Sequence, residues 1–218
     1  MGFDEKINHI CRVSSRLIHQ KGFSRTTMRD IAKATGMSLG GLYHYFDNKE
    51  DLLFKILRNY MGVMLSHLEK ELSSLSSPKE QIAFILQRHI HLHIQYFYES
   101  KCLLHERECL KGKHLALIRK QERQYFEVCR DVMNRLSREA GCRFIHPNVL
   151  TFSFFALVNW IYQWYDPKGP VSPPALARQL TTFFLRGVCG DLDVAISNPG
   201  RGAFKPLQLR IFRKGRVT

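Results

Sequence analysis

Acidic residues are scarce in this 218-residue chain: 19 Asp and Glu stand against 33 Lys and Arg, a formal net charge of +14. An excess of that size points to a polyanionic partner such as nucleic acid, an anionic membrane surface or a phosphorylated ligand, and is silent about fold. Long apolar runs are missing too. The longest, Val149 to Tyr165, is broken by Thr151, Ser153, Asn159 and Gln163 and falls short of the ~18–20 residues of a membrane span. No signal peptide is read at the N-terminus, where Asp4 and Glu5 interrupt and no apolar region follows. The six cysteines form no CxxC pair, so the expected state is a cytoplasmic protein with reduced thiols. Nucleophile elbows, phosphate loops, paired carboxylates and cofactor motifs are likewise lacking, which argues against an enzyme and calls for no cofactor. The 44% hydrophobic content excludes wholesale disorder.

What is present reads almost entirely as helix. Ile7, Ile10, Cys11, Ser14, Leu17 and Ile18 recur at helical spacing and Lys21-Gly22 closes that segment. Thr26-Thr27 supplies an N-cap for a helix from Met28 to about Thr35, Gly36 ends it, and Ser38 caps a third running to about Phe46. Asp47 or Asn48 caps a fourth, predicted to reach Leu72. Ser77-Pro78-Lys79-Glu80 combines a cap, a proline at the first position and a glutamate three after the cap, and that helix runs to about Tyr98. Further helices cover about Lys101–Leu110, His114–Glu139, Pro147 to Asp166, and Ser172 to Gly187. The prediction is an all-α chain of about nine helices: residues 1–48 a three-helix head, 49–190 a helical body and 191–218 a basic tail. In the tail Leu207, Leu209 and Ile211 alternate with polar residues, as a short strand or a frayed end would.

Residues 27–46 carry the functional signal. A capped helix, a glycine-containing turn and a second short helix is the layout of a helix-turn-helix. Ile31 and Ala32 face inward, and small Ala32 lets two helices cross closely. Gly36 provides the positive φ of the turn. Ser38 leaves backbone N–H groups aimed at a phosphate, and Tyr43, His44 and Lys49 follow as polar tips. The stretch Gly22-Phe23-Ser24-Arg25-Thr26-Thr27-Met28-Arg29-Asp30-Ile31-Ala32, then Gly36-Met37-Ser38-Leu39-Gly40 and Tyr43-His44-Tyr45-Phe46-Asp47-Asn48-Lys49-Glu50, closely resembles the DNA-binding domain of TetR-family transcriptional regulators over about residues 5–53.

That resemblance implies a homodimeric repressor with a DNA-binding head on a ligand-binding body. By position, Thr27 and Arg29 would contact DNA from the second helix. Ser38, Leu39, Gly40, Gly41, Tyr43 and His44 would lie on or beside the recognition helix, and Lys49 would meet a phosphate. The chain departs from the family pattern at Leu39, where Lys or Pro is frequent, and at Gly41, where Thr, Ala or Ser is. Neither can hydrogen-bond a base edge through its side chain, so Arg25 and Arg29 are expected to supply more than usual.

In the body, the segment from Val149 to Tyr165 is apolar nearly all round, so it is buried on more than one side. A second subunit is the simplest cover. Phe154, Val158, Ile161 and Trp164, with Leu176, Leu180, Phe183 and Phe184 of the last helix, are the predicted dimer face. Two heads about one DNA turn apart (~34–36 Å) would read a palindromic operator in double-stranded DNA. An effector that tilts the fourth helix would spoil that spacing. The predicted pocket is lined by Met61, Met64, Leu68, Phe84, Ile85, Arg88, Leu92, Leu103, Arg107, Phe126 and Phe155. The segments Leu103–Glu108 and Ile118–Tyr125 resemble a TetR subgroup that includes regulators of fatty-acid and acyl-CoA metabolism. Residues 101–143 hold 11 basic against 6 acidic groups, so the expected effector is a small apolar or acyl-CoA-like molecule. An alternative is a metal or thiol-redox sensor built from His89, His93, Cys102, His105 and Cys109, whose spacings place them on helix faces without matching a known zinc pattern.

Overall fold

The computed structural model describes residues 3–140 and 146–190. It is all-α, as predicted, with no strand among the described residues. The helices are α1 (Phe3–Lys21), α2 (Met28–Thr35), α3 (Leu39–Tyr43), α4 (Lys49–Leu65), α5 (Leu68–Ser73), α6 (Pro78–Gln95), α7 (Phe97–Glu106), α8 (Gly112–Glu139), α9 (Pro147–Asn159) and α10 (Pro173–Cys189). Short 3₁₀ turns follow α7 at Arg107–Cys109 and α9 at Ile161–Gln163. The tail 191–218, with its expected strand or frayed end, and Cys142 lie outside the described residues.

Local chemistry sets most of the boundaries. Ser77 and Glu80 form the reciprocal cap of α6, with Pro78 in its first turn. The continuous fourth helix expected up to Leu72 is instead two helices. His67 breaks it with a left-handed φ of 58°, an unusual conformation for a residue with a side chain. Arg88 of α6 holds the break together. Its Nη2 donates to the carbonyls of Val63 at 3.0 Å and Ser66 at 2.7 Å, and its Nη1 pairs with Glu71 at 3.0 Å. The guanidinium satisfies C-terminal carbonyls that the interrupted helix would leave bare.

Two apolar cores result. The first joins α1, α2, α3 and the N-terminal half of α4 to Cys102 of α7, to Leu110 and to Ile118 of α8. The second gathers the C-terminal half of α4, from Tyr60 onward, with α5, α6, α8, α9 and α10. Helix α4 therefore runs through both. The N-terminal helices are tied to α7 and α8 by polar contacts as well. The Phe23 N–H donates to Glu106 Oε1 at 3.2 Å, the Lys111 N–H donates to Glu50 Oε1 at 2.9 Å, and the Cys102 thiol donates to the Ser15 carbonyl at 3.7 Å. The His114 ring stacks on Phe54 with centroids 4.1 Å apart.

The predicted dimer face needs correction. Phe154, Val158, Ile161, Leu176 and Phe184 are buried in their own chain's core, and Leu180 packs against it partly buried. An α-helix has room for two apolar sides, and these residues fill the inner one. Only Trp164 and Phe183 of the predicted set are open, Phe183 with 71% of its surface exposed. The apolar surface of α9 is a different row: Val149, Phe152, Ala156 and Trp160 recur at helical spacing, with Phe152 62% and Trp160 60% exposed.

Candidate DNA interface and effector cavity

The head is built as its caps dictate. Thr27 Oγ1 accepts the Asp30 N–H at 3.1 Å, while the Thr27 N–H and hydroxyl both donate to Asp30 Oδ2, at 2.9 and 2.7 Å. These bonds to Thr27, with Lys21 Nζ 3.2 Å from the carboxylate, hold the Asp30 carboxyl down at about 2. Gly36 ends α2 at φ 69°, the left-handed turn that favours glycine. Ser38 caps α3 by accepting the Gly41 N–H at 3.0 Å. Neighbouring Thr26, fully buried, donates its hydroxyl to the Gly22 carbonyl at 2.9 Å.

Most of the predicted DNA-facing residues are exposed: Arg25, Thr27, Arg29, Ser38, Gly40, Tyr43 and His44 are all open. Arg25 has its Nε committed to the Lys21 carbonyl at 2.6 Å. Three expectations change. Helix α3 ends at Tyr43 rather than near Phe46. Leu39 is half-buried against the head's apolar core, so much of it is packing surface. Lys49 does not extend outward: its Nζ donates to the carbonyls of Phe23 at 2.8 Å and Ser24 at 3.4 Å and lies 4.3 Å from the centre of the Phe23 ring. Those carbonyls and that π face draw the ammonium inward.

The two glycines of α3 differ. A Cβ at Gly40 would meet nothing within 4 Å, whereas one at Gly41 would lie 3.0 Å from Ser38 Oγ, the cap itself. Gly40→Ala is therefore expected to stabilise the chain by up to about 1 kcal/mol. Gly41→Ala should forfeit that gain by crowding a cap of similar worth. Urea denaturation of both variants checks this; equal gains would refute the role given to the cap.

Behind the head, α4, α6, α7, α8 and α9 line an open cavity of about 630 Å³, within the size range of small-molecule sites. Six predicted residues line it: Met61, Met64, Leu103, Arg107, Phe126 and Phe155. Leu68, Ile85 and Leu92 are instead buried in the core, packed too deeply to meet a ligand. Phe84 and Arg88 border a separate recess beside Pro173 and Pro174, and Arg88 is held by the α4–α5 break. The guanidinium of Arg107 is also engaged, forked onto Glu122 at 2.7 and 2.9 Å and onto Glu108 at 2.7 Å. Arg130 pairs with Glu127. Arg123, exposed at the rim, has no acidic partner among the described residues.

Sequence reasoning missed the polar end of this cavity. His89, His93, Ser100, Tyr125 and Asn159 all line it. His89 is saturated: Asn159 Oδ1 lies 3.1 Å from its Nε2 and the Tyr125 hydroxyl 3.1 Å from its Nδ1. Oδ1 can only accept, so Nε2 carries the proton and Nδ1 accepts from Tyr125. Burial drives the His89 imidazolium down to about 3, with neighbouring His93 opposing the charge further, and burial with nearby Lys101 brings His93 to about 4. Both rings are neutral at ordinary pH.

Residues 10–56 match the family described as "Bacterial regulatory proteins, tetR family", and residues 75–188 match "Tetracyclin repressor-like, C-terminal domain". The chain belongs to the TetR family. It is accordingly a DNA-binding transcriptional regulator and not an enzyme. The HTH-type transcriptional repressor KstR2 of Mycobacterium tuberculosis is 22% identical over 189 residues, covering 82% of this chain and 90% of the repressor. The structure of AibR in complex with isovaleryl coenzyme A and operator DNA superposes with a TM-score of 0.74 at 28% identity, covering 82% of this chain and 97% of AibR. A TetR-family regulator from Bordetella parapertussis gives a TM-score of 0.78 at 26% identity, covering 86% and 98%.

In this TetR-family chain no three His, Cys, Asp or Glu side chains among the described residues form a group that could hold a metal, and Cys102 and His105 border a recess separate from His89 and His93. His89 and His93 line the cavity, while Cys102 is buried in the head's core. His105 Nε2 lies 3.0 Å from the Tyr162 hydroxyl, and Cys109 leans on Glu106 at 3.6 Å. Burial raises both thiols above their ordinary value, which disfavours the reactive thiolate. Among the described residues no helix is long and apolar enough to cross a membrane.

Proposed function

We propose that this protein is an effector-released repressor that binds a palindromic operator as a homodimer and that its effector is an acyl-CoA thioester. One observation carries the reading: the cavity and the head share α7. Ser100, Leu103 and Leu104 line the cavity, while Cys102 and Glu106, between and beside them, hold the head. A ligand that displaces one side of this helix must disturb the other, because packed interfaces shift between discrete arrangements instead of deforming smoothly. Apolar Met61, Met64, Phe126 and Phe155 suit an acyl chain, and Arg123 at the rim, with no acidic partner among the described residues, suits a phosphate. The likeness to AibR, whose structure holds isovaleryl coenzyme A and operator DNA, supports the same ligand class.

In this reading residues 1–48 read DNA, 49–190 bind effector and partner subunit, and the basic segment 191–218 adds charge. The row Val149, Phe152, Ala156 and Trp160, joined by Trp164 and Phe183, supports a second subunit as its cover.

Thermal melting and operator binding test the effector. An acyl-CoA at one hundred times its Kd is expected to raise the melting temperature by about 5–10 °C and to weaken operator binding tenfold or more, while free CoA does neither. A panel of short to long acyl-CoA thioesters that leaves both unchanged would sink the proposal.

A further inference from the structure

His93 is the unresolved member of the cavity's polar end. His89, Tyr125 and Asn159 satisfy one another. One turn along α6, the parallel His93 ring lies 6.3 Å from His89 and is only 3% exposed, yet its Nε2 is buried without a hydrogen-bond partner. The Tyr162 ring at 5.9 Å covers it on another side. A desolvated nitrogen left unpaired carries a penalty equivalent to roughly five- to hundredfold in an equilibrium constant. A cavity made only for saturated hydrocarbon would do better with leucine at this position.

We propose that His93 determines effector specificity by hydrogen-bonding an oxygen in the buried part of the effector, so that the preferred ligand carries a keto or hydroxyl group on its acyl portion. The proposal rests on the acyl-CoA reading above for the identity of the head group, not for the oxygen. The ring is neutral, so Nε2 either donates to a keto oxygen or accepts from a hydroxyl, according to tautomer. A methylene can do neither. The exposed Arg123 takes the charged end at the rim, whereas His93 lines the cavity with only 3% of its surface exposed. The oxygen in question therefore belongs to the part of the ligand that is swallowed.

Calorimetric titration of the full-length protein with hexanoyl-CoA, 3-oxohexanoyl-CoA and 3-hydroxyhexanoyl-CoA tests this. The wild type is expected to bind at least one oxygenated thioester about tenfold or more tightly than hexanoyl-CoA. His93→Phe, which keeps a flat ring and loses the nitrogen, should bring the three affinities together. His93→Leu serves the same purpose should the phenyl ring not pack, and His93→Gln should recover part of the preference. Equal binding of all three by the wild type, or a preference that survives in His93→Phe, overturns the proposal. If no thioester binds, the acyl-CoA reading fails by itself, and 2-nonanone against nonane in thermal melting decides the role of His93. A shift by the ketone alone, lost in His93→Phe, upholds it, and no such difference overturns it.

Discussion

A chain carrying Trp160→Glu together with Phe183→Glu is expected to elute as a monomer and to bind its operator about 10²–10⁴-fold more weakly, the avidity lost when two linked half-site contacts become one. Both side chains are more than half exposed and neither supports its own core, so the folded state should keep its melting temperature. The carboxylates would have to lose their water on association, which closely packed apolar faces do not compensate. Phe154→Glu would be a poor substitute. That ring is fully buried between Phe155 and Phe184, with centroids 5.6 and 5.5 Å away, and its loss would unfold the body and mimic a dimer defect. Sedimentation of the double variant beside its operator titration separates the cases. A variant that remains dimeric would move the interface off α9 and α10.

Acidification should weaken the fold steeply, and the two cavity histidines supply the reason. An unfolded histidine takes its proton near 6.5, whereas the buried rings refuse theirs until about 4 for His93 and about 3 for His89. Above about pH 7.5 both are neutral in either state and their contribution is complete. As pH falls below 6.5 the unfolded chain gains protons that the native one excludes, so stability drops until pH passes the folded values. At one factor of ten per pH step, each ring removes roughly 2–3 kcal/mol between pH 7 and 4.5, about 5 kcal/mol together, a large part of a typical domain's stability. Urea unfolding at the two pH values measures it, and His93→Phe should remove about half of the dependence. A loss under 1 kcal/mol in the wild type would mean that water reaches the rings.

Local rules made the head legible. Thr27 with Asp30, Gly36 and Ser38 act within four residues of chain, and each occupies its expected station. Features that depend on distant partners were not. The α4–α5 break occurs at His67 with no glycine or proline to announce it, and the residue that secures it, Arg88, is more than twenty positions away. Lys49 looks from sequence like any lysine at a helix start, and only the folded loop reveals carbonyls of Phe23 and Ser24 within its reach. In α9, apolar residues on nearly every side erase the periodicity that tells inner from outer face, which is why Phe154 and Val158 were assigned outward and Phe152 and Trp160 were not. The cavity's histidines were noticed as a metal motif because spacing is visible in sequence, while the hydrogen bonds that saturate His89 are made by Tyr125 and Asn159 on other helices.

The double duty of α7 has a consequence for anyone retuning this regulator as a biosensor. Randomising Leu103, which lines the cavity and also packs against the head's core, would change ligand choice and the grip on the reading head at once, so hits and broken switches would be inseparable in a screen. Phe126 and Phe155 face the same cavity from α8 and α9 and, among the described residues, take no part in the head's apolar core. Those two positions are where a library could explore new analytes while leaving the output stage of the device untouched.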